Sequence, residues 1–195
     1  MSDIVFVNAC VRENSRTLEL AKSVLSTLNG EVEEVKLYEL DLAPIDAEGL
    51  KARDAAFGAK DFSDSDFELA RQFASAKTIV IAAPYWDLMF PSILKTYYEA
   101  VTVNGIAFVY SEKGMPVGRC SAEKLIYVTT SGGPIINNFG YDYTCALACA
   151  FYGINDVSCV SAQGLDIRGA DAEEILRKAK ESVTEQGGRY RLQLR

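Results

Sequence analysis

The stretch IVFVNACVRENSRTLELA, residues 4–21, decides the fold. It opens with four consecutive apolar residues, and such continuous runs are typical of strands covered on both faces. It ends in a helical pattern, because Leu18, Ala21, Leu25 and Leu28 repeat at i, i+3, i+7 and i+10. The stretch therefore predicts a buried strand that passes through a polar loop directly into an amphipathic helix.

The same pattern of strand and helix recurs along the chain. Three further apolar runs predict buried strands, and a more charged segment predicts an edge strand: residues 79–82, 125–128, 157–160 and, for the edge, 32–37. Helical patterns cover residues 63–76, 94–101, 139–152 and 175–183, with Gly187-Gly188 after the last. Five strand–helix repeats predict one α/β domain over residues 1–195, a three-layer sandwich whose five-stranded parallel sheet carries helices on both faces. An outermost second strand favours the order 2-1-3-4-5.

Two connections are long for a compact domain. Residues 38–62 follow the second strand, and residues 103–122 separate the third helix from the fourth strand. Connections of this length are usually functional lids or interface segments, and both are predicted to be such segments.

The composition excludes several kinds of chemistry. The chain of 195 residues has 20 Lys and Arg, 27 Asp and Glu, a net charge of −7 and no histidine. A Ser-His-Asp or Cys-His enzyme and an HExxH zinc site are therefore excluded. The negative charge argues against a protein that binds nucleic acid by neutralising phosphates. A chain without histidine is expected to take its chemistry from a cofactor.

Cysteine usage and the N-terminus indicate the compartment. The five cysteines form no CxxC motif, so neither a disulfide scaffold nor a paired-CxxC zinc site is predicted, and no metal site is expected. The N-terminus lacks the pattern of a signal peptide, and no apolar stretch approaches the length of a membrane span. The prediction is a cytoplasmic protein with reduced thiols and no membrane partner.

The loop after the first strand has the features of a phosphate site. In an open α/β sheet, ligands bind at the carboxyl ends of the strands, near the switch in strand order. This loop enters a helix whose N-terminus favours anions, and Ser15 and Thr17 add hydroxyl donors. Arg12 or Arg16 adds positive charge. The alternative is that Asn14 or Ser15 only caps the helix.

The loops after the third and fourth strands complete this edge. Residues 84–91, PYWDLMFP, include the only Trp and could pack against a flat ring, or fill core or a subunit interface. Residues 129–134, TTSGGP, could bring backbone close to a ligand or form a plain turn. Together, a phosphate site, an apolar slab and a glycine edge suit a phosphorylated flat cofactor such as flavin mononucleotide (FMN).

A different class of enzyme shares part of this pattern. Cys10 to Thr17 fits C-x5-R-[S/T], the loop of low-molecular-weight protein tyrosine phosphatases and arsenate reductases. Cys10 would then be the nucleophile and Arg16 the clamp on the phosphate. Against this, Val11-Arg12-Glu13 stand where those enzymes have glycine and asparagine, and the chain contains no Asp-Pro for a general acid.

Several passages resemble the flavin-dependent NAD(P)H oxidoreductases of flavodoxin-like fold, the group of quinone reductases, azoreductases and NADPH-dependent FMN reductases. Residues 84–110 resemble the azoreductase stretch from the proline-aromatic loop to G-x-x-F-x-Y, here Gly105, Phe108 and Tyr110. Residues 125–133, LIYVTTSGG, resemble the strand and glycine turn that follow. Residues 8–18 resemble the phosphate loop.

The resemblance implies a set of cofactor-binding residues. At the FMN phosphate these are Cys10, Ser15, Arg16 and Thr17; in the proline-aromatic loop along the isoalloxazine, Pro84, Tyr85, Trp86, Asp87 and Leu88; at the polar edge of the ring, Thr130, Ser131, Gly132 and Gly133. Three of them depart from the family pattern. Cys10 replaces the usual serine, Asp87 the common asparagine, and Leu88 the usual aromatic residue.

The resemblance also implies an activity and a partner. Hydride would pass from NADH or NADPH through FMN to a small quinone, azo or nitro acceptor in ping-pong order, with no side chain assigned as catalytic. A homodimer with the flavin at the subunit interface is implied as well. A further alternative is a non-enzymatic electron carrier of the flavodoxin type, against which Arg12 and Arg16 count, because the phosphate loop of those carriers lacks arginine.

Overall fold

Residues 2–185, which the computed structural model describes, contain two sheets. The strands in chain order are β1 (Ile4–Asn8), β2 (Val32–Lys36), β3 (Thr78–Ala82), β4 (Phe108–Tyr110), β5 (Pro116–Gly118), β6 (Lys124–Thr130) and β7 (Asp156–Ala162). Five of them form a sheet of order β2-β1-β3-β6-β7 in which every neighbouring pair is parallel. Numbered along the chain, these five strands have the predicted order 2-1-3-4-5, which is therefore confirmed.

Helices connect the strands of the large sheet. They are α1 (Arg16–Leu25), α2 (Ala47–Ala59), α3 (Glu68–Ser75), α4 (Ser92–Val101), α5 (Phe139–Leu147) and α6 (Ala172–Glu185). A π-helical turn, Ala148–Tyr152, continues α5, and short 3-10 turns cover Leu37–Glu39 and Ser65–Phe67. The predicted Gly187-Gly188 terminus lies outside the described residues. No described helix has both the length and the apolar character needed to cross a bilayer.

The sheet is covered on both faces, as the continuous apolar runs predicted. Along β1, Val5 and Val7 join one core cluster, whereas Ile4 and Phe6 join the other. The first cluster packs against α3, α4 and α5, and the second against α1 and α6. Because side chains alternate between the two faces of a strand, this division produces the three layers of the fold.

The connection over residues 38–62 contains α2, which the sequence analysis missed. The side chain of Asp46 caps it by accepting a hydrogen bond from Gly49 N at 2.8 Å, and its five alanines favour helix. None of its residues is buried. A search for an apolar stripe could not find it, because the helix does not present one to the core.

The connection over residues 103–122 is a hairpin rather than an irregular loop. β4 and β5 pair antiparallel, with Phe108 opposite Gly118 and Tyr110 opposite Pro116. A Cβ at Gly118 would overlap the backbone of Tyr152 and Gly153, so this glycine lets β5 pass directly against the π-helical turn. Three-residue strands are too short for periodicity to reveal.

Candidate functional site

A cleft of about 530 Å³ opens at the carboxyl edge of the large sheet. It is bounded by the loops after β1, β3, β6 and β7, so the three loops singled out from the sequence do meet. Nine of the predicted residues line it: Ser15, Arg16, Thr17, Pro84, Tyr85, Trp86, Thr130, Ser131 and Gly132. Val11, Arg12, Asn14 and Asp166 complete the lining. Cys10, Asp87, Leu88 and Gly133 are outside it.

The N-terminus of α1 forms the floor of one end of the cleft. Ser15 is the N-cap, since its Oγ accepts a hydrogen bond from Leu18 N at 3.3 Å. Ser15 therefore caps the helix, and a cap at this position is compatible with an anion site. The positive end of α1 still opens into the cleft, and a serine hydroxyl that accepts one hydrogen bond can donate another.

A buried hydroxyl pair fixes α1 against the sheet. Thr17 Oγ1 and Thr130 Oγ1 lie 2.6 Å apart, and both residues are buried at the base of the cleft. One hydroxyl donates to the other, so neither is left without a partner in an interior where an unpaired polar group is costly. This bond sets the distance between the phosphate-site loop and the end of β6.

Arg16 is engaged by the loop after β7. Its Nη2 donates to Asp166 Oδ1 at 2.8 Å, and its Nη1 donates to the carbonyl oxygen of Leu165 at 3.2 Å. Sequence reasoning missed Asp166 because it lies 150 residues from Arg16 in a loop without a recognisable motif. The sequence offered one signal: Asp166 follows the fifth predicted strand, here β7, whose carboxyl end lies at the same edge of the sheet as the cleft.

Gly132 accommodates the Asp166 carboxylate. A Cβ at residue 132 would overlap Asp166 Oδ2, so any larger residue would displace the carboxylate or the loop. Backbone hydrogen bonds hold the two loops together: Asp166 N donates to Gly132 O at 2.9 Å, and Leu165 N to Ser131 O at 3.1 Å. Gly133 differs, because a Cβ there would meet open space. Of the predicted glycine pair, only the first lies in the cleft.

Trp86 forms the apolar wall, and an unusual turn presents it. Trp86 and Met89 exchange two backbone hydrogen bonds, of 3.0 and 2.8 Å, around the intervening Asp87 and Leu88. Those two residues have φ values of 51° and 68°. This is the left-handed geometry of a two-residue hairpin turn, for which Asn-Gly is the preferred sequence. The turn explains why Asp87 and Leu88 lie outside the cleft: they form the apex, whereas Trp86 stays on the wall.

Cys10 lies beneath the cleft and does not open into it. Its Sγ lies 3.8 Å from the carbonyl oxygen of Ala82, and its side chain packs against the core cluster shared with α1 and α6. Burial raises the pKa of the Cys10 thiol to about 11, and the hydrogen bond from Ser15 offsets only part of this. A nucleophilic cysteine needs the opposite shift, toward thiolate at neutral pH. The structure therefore argues against the phosphatase alternative.

Comparison with known proteins places this geometry in context. The family described as having a flavodoxin-like fold matches residues 2–186 of the chain. A Clostridium perfringens protein named FMN-dependent NADH:quinone oxidoreductase is 32% identical over 193 residues, covering 94% of this chain and 96% of that protein. The FMN-dependent NADH:quinone oxidoreductase 2 of Clostridium acetobutylicum is 32% identical over 204 residues, covering 97% and 100%.

A solved structure has the same fold. The crystal structure of an FMN-dependent NADH-azoreductase from Bacillus anthracis in complex with FMN superimposes with a TM-score of 0.78. The two chains are 26% identical, and the superposition covers 97% of this chain and 99% of the other.

Proposed function

The chain belongs to the family of flavodoxin-like fold, and on that premise we propose that it is an FMN-dependent NADH oxidoreductase whose acceptors are quinones or azo compounds. The observation that carries the proposal is one cleft at the predicted edge of the sheet that combines a helix N-terminus, a tryptophan wall and a glycine-containing loop. Relatives of almost the same length are named for this activity with NADH.

The cleft suits FMN in size and in chemistry. Its volume of about 530 Å³ lies within the range of roughly 300–1,000 Å³ that is usual for cofactor sites. Ser15 and the backbone N–H groups of the first turn of α1 would hold the phosphate. Trp86, 42% exposed, would cover the apolar ring system. Ser131 and the backbone of Gly132 would face the polar edge of the ring.

The protein's own task in this scheme is to bind, orient and exclude water. FMN, when bound, supplies the hydride chemistry between a nicotinamide and an acceptor, which no side chain of this histidine-free chain could supply. Tyr85 braces the wall, because its N–H donates to Thr130 O at 3.0 Å and its hydroxyl to Asn137 O at 2.9 Å. These bonds set the separation between the Trp86 wall and the end of β6.

A visible absorption spectrum tests the proposal. The purified protein, mixed with FMN and desalted, is expected to keep a flavin band near stoichiometry, and anaerobic NADH should bleach that band. Steady-state oxidation of NADH with a soluble quinone then separates an enzyme from an electron carrier, which would bind flavin without turning over. A protein that loses all flavin on desalting, or keeps it but shows no NADH oxidation, contradicts the proposal.

Three finer features extend the proposal. The order of reaction is ping-pong, so initial rates at several acceptor concentrations should give parallel double-reciprocal lines. Nitro compounds serve as acceptors alongside quinones and azo compounds, which turnover of a nitroarene checks. The protein is a homodimer, and a monomeric mass by light scattering would refute this.

A further inference from the structure

Two arginines line the cleft, and their surroundings differ. Arg16 is bound by Asp166 and by the carbonyl oxygen of Leu165. Arg12, in the loop after β1, is exposed, and among the side chains described for residues 2–183 no carboxylate lies within ion-pair distance of its guanidinium. The two positive charges are therefore not equally available to an anion that enters the cleft.

We infer that Arg12, not Arg16, supplies the positive charge that binds the FMN phosphate, and that Asp166 is a positioning residue that withholds Arg16 from it. The inference rests on the proposed function, because it assigns roles within the same cleft. It goes further by separating the two arginines, which the sequence pattern treats as equivalent.

The Asp166 carboxylate lies against the loop after β6. The backbone of Asp166 is bonded to Gly132 O at 2.9 Å, and its side chain lies over the face that Gly132 leaves bare. Arg16 makes two hydrogen bonds to this one loop, at 2.8 and 3.2 Å. A phosphate that drew the guanidinium away from this loop would have to break both bonds.

Repulsion between like charges acts in the same direction. A phosphate close enough to bind Arg16 would also lie close to Asp166, since the carboxylate is bound directly to that guanidinium. Two anions that share one cation gain less than a phosphate that has a cation of its own. The phosphate is therefore expected on the Arg12 side of the α1 N-terminus, away from Asp166.

The Arg16–Asp166 pair then has a structural task. It connects the first residue of α1 to the loop after β7, which is itself bonded to the loop after β6. It braces the wall of the cleft while contributing no net charge to it.

The test compares FMN with riboflavin, which lacks the phosphate. Dissociation constants for both are measured by quenching of flavin fluorescence in the wild type, in Arg12→Gln and in the double variant Arg16→Gln/Asp166→Asn. The double variant is the matched control, because it also removes a guanidinium from the cleft but leaves the net charge unchanged. Riboflavin binding reports on folding in each variant.

Arg12→Gln is expected to weaken FMN binding by about tenfold to a hundredfold, the loss of one hydrogen-bonded charge, while riboflavin binding stays unchanged. The control is expected to keep the wild-type ratio of FMN to riboflavin affinity. Adding Asp166→Asn to Arg12→Gln should recover part of the lost FMN affinity, because it releases Arg16.

Other outcomes overturn the inference. An unchanged affinity ratio in Arg12→Gln, a larger loss of that ratio in the control, or no recovery on adding Asp166→Asn would each refute the assigned roles. A wild-type protein that binds riboflavin but shows no preference for FMN would refute the inference alone. Wild-type protein that binds neither flavin would refute the proposed function as well.

Discussion

Replacing Leu88 by glycine should give a more stable protein than replacing it by alanine, the reverse of the usual order of these two residues. Leu88 has a φ of 68° and is 45% exposed at the apex of the turn that presents Trp86. An L-residue in the left-handed region costs roughly 1–2 kcal/mol, and glycine removes this cost. Glycine also adds freedom to the unfolded chain, which opposes folding by up to about 1 kcal/mol. Relative to Leu88→Ala, which loses the same side-chain contacts, the expected net gain in unfolding free energy is on the order of 0.5–1 kcal/mol.

Chemical denaturation with urea measures this change, and thermal melting checks it. A gain of this size should raise the melting temperature by about 1–4 °C in a chain of this length. Leu88→Ala is the matched control, because it removes the same contacts but keeps a Cβ in the strained conformation. It should leave stability unchanged or lower it. If Leu88→Gly were less stable than Leu88→Ala, relief of backbone strain would not be the dominant effect, and the reasoning would be wrong.

Three further experiments test the cleft and the thiol beneath it. Gly132→Ala should shift the loop after β6, whose backbone would face the polar edge of the ring, and weaken the binding of FMN and riboflavin alike, whereas Gly133→Ala, whose Cβ meets open space, should not; equal flavin affinities in the two variants, measured by fluorescence quenching, would contradict this. Thr17→Val leaves the buried Thr130 hydroxyl without its partner and should lower the unfolding free energy by about 1–3 kcal/mol. Thr17→Ser keeps the hydroxyl and should retain most of the wild-type unfolding free energy. Urea denaturation measures both, and equal losses in the two variants would contradict the reasoning. Cys10, whose pKa is raised to about 11, should react with iodoacetamide at pH 8 far more slowly than the exposed Cys149. Its rate of alkylation should increase as the pH approaches 11. Peptide mass spectrometry measures both rates, and faster labelling of Cys10 than of Cys149 would disprove the assigned burial.

The sequence predicted those parts of the fold whose burial leaves a pattern. Four strands of the large sheet overlap the predicted apolar runs, because strands covered on both faces need continuous apolar residues. The fifth, β2, overlaps the charged segment that was predicted as an edge strand. α2 left no such pattern, since none of its residues is buried. The hairpin over residues 108–118 depends on a glycine contact with a distant turn, and a local pattern does not encode such a contact.

The residues of the site also divide into those that the sequence reveals and those that depend on the folded structure. Ser15, Trp86 and Gly132 were found because each follows a predicted strand at the edge where ligands bind. Asp87 and Leu88 were expected along the ring because the resemblance to the azoreductase loop implied it for the whole of residues 84–88. Two consecutive positive φ angles turn them away, and neither residue is the glycine that would have indicated such a turn. The role of Asp166 could not be predicted, because it depends on a tertiary contact with Arg16.

Some polar groups of the cleft already have partners within the protein and others do not. This division indicates what kind of ligand the cleft can recognise. Thr17 is bonded to Thr130 and Arg16 to Asp166, so these polar groups build the wall. The guanidinium of Arg12, the first N–H groups of α1 and the face of Trp86 remain for a ligand. An exposed cation and a helix N-terminus at one end, with an indole beyond them, match a molecule that is anionic at one end and flat and apolar at the other. The cation and the helix N-terminus would bind a small inorganic oxyanion as well, but such a substrate would leave the indole of Trp86 without a contact.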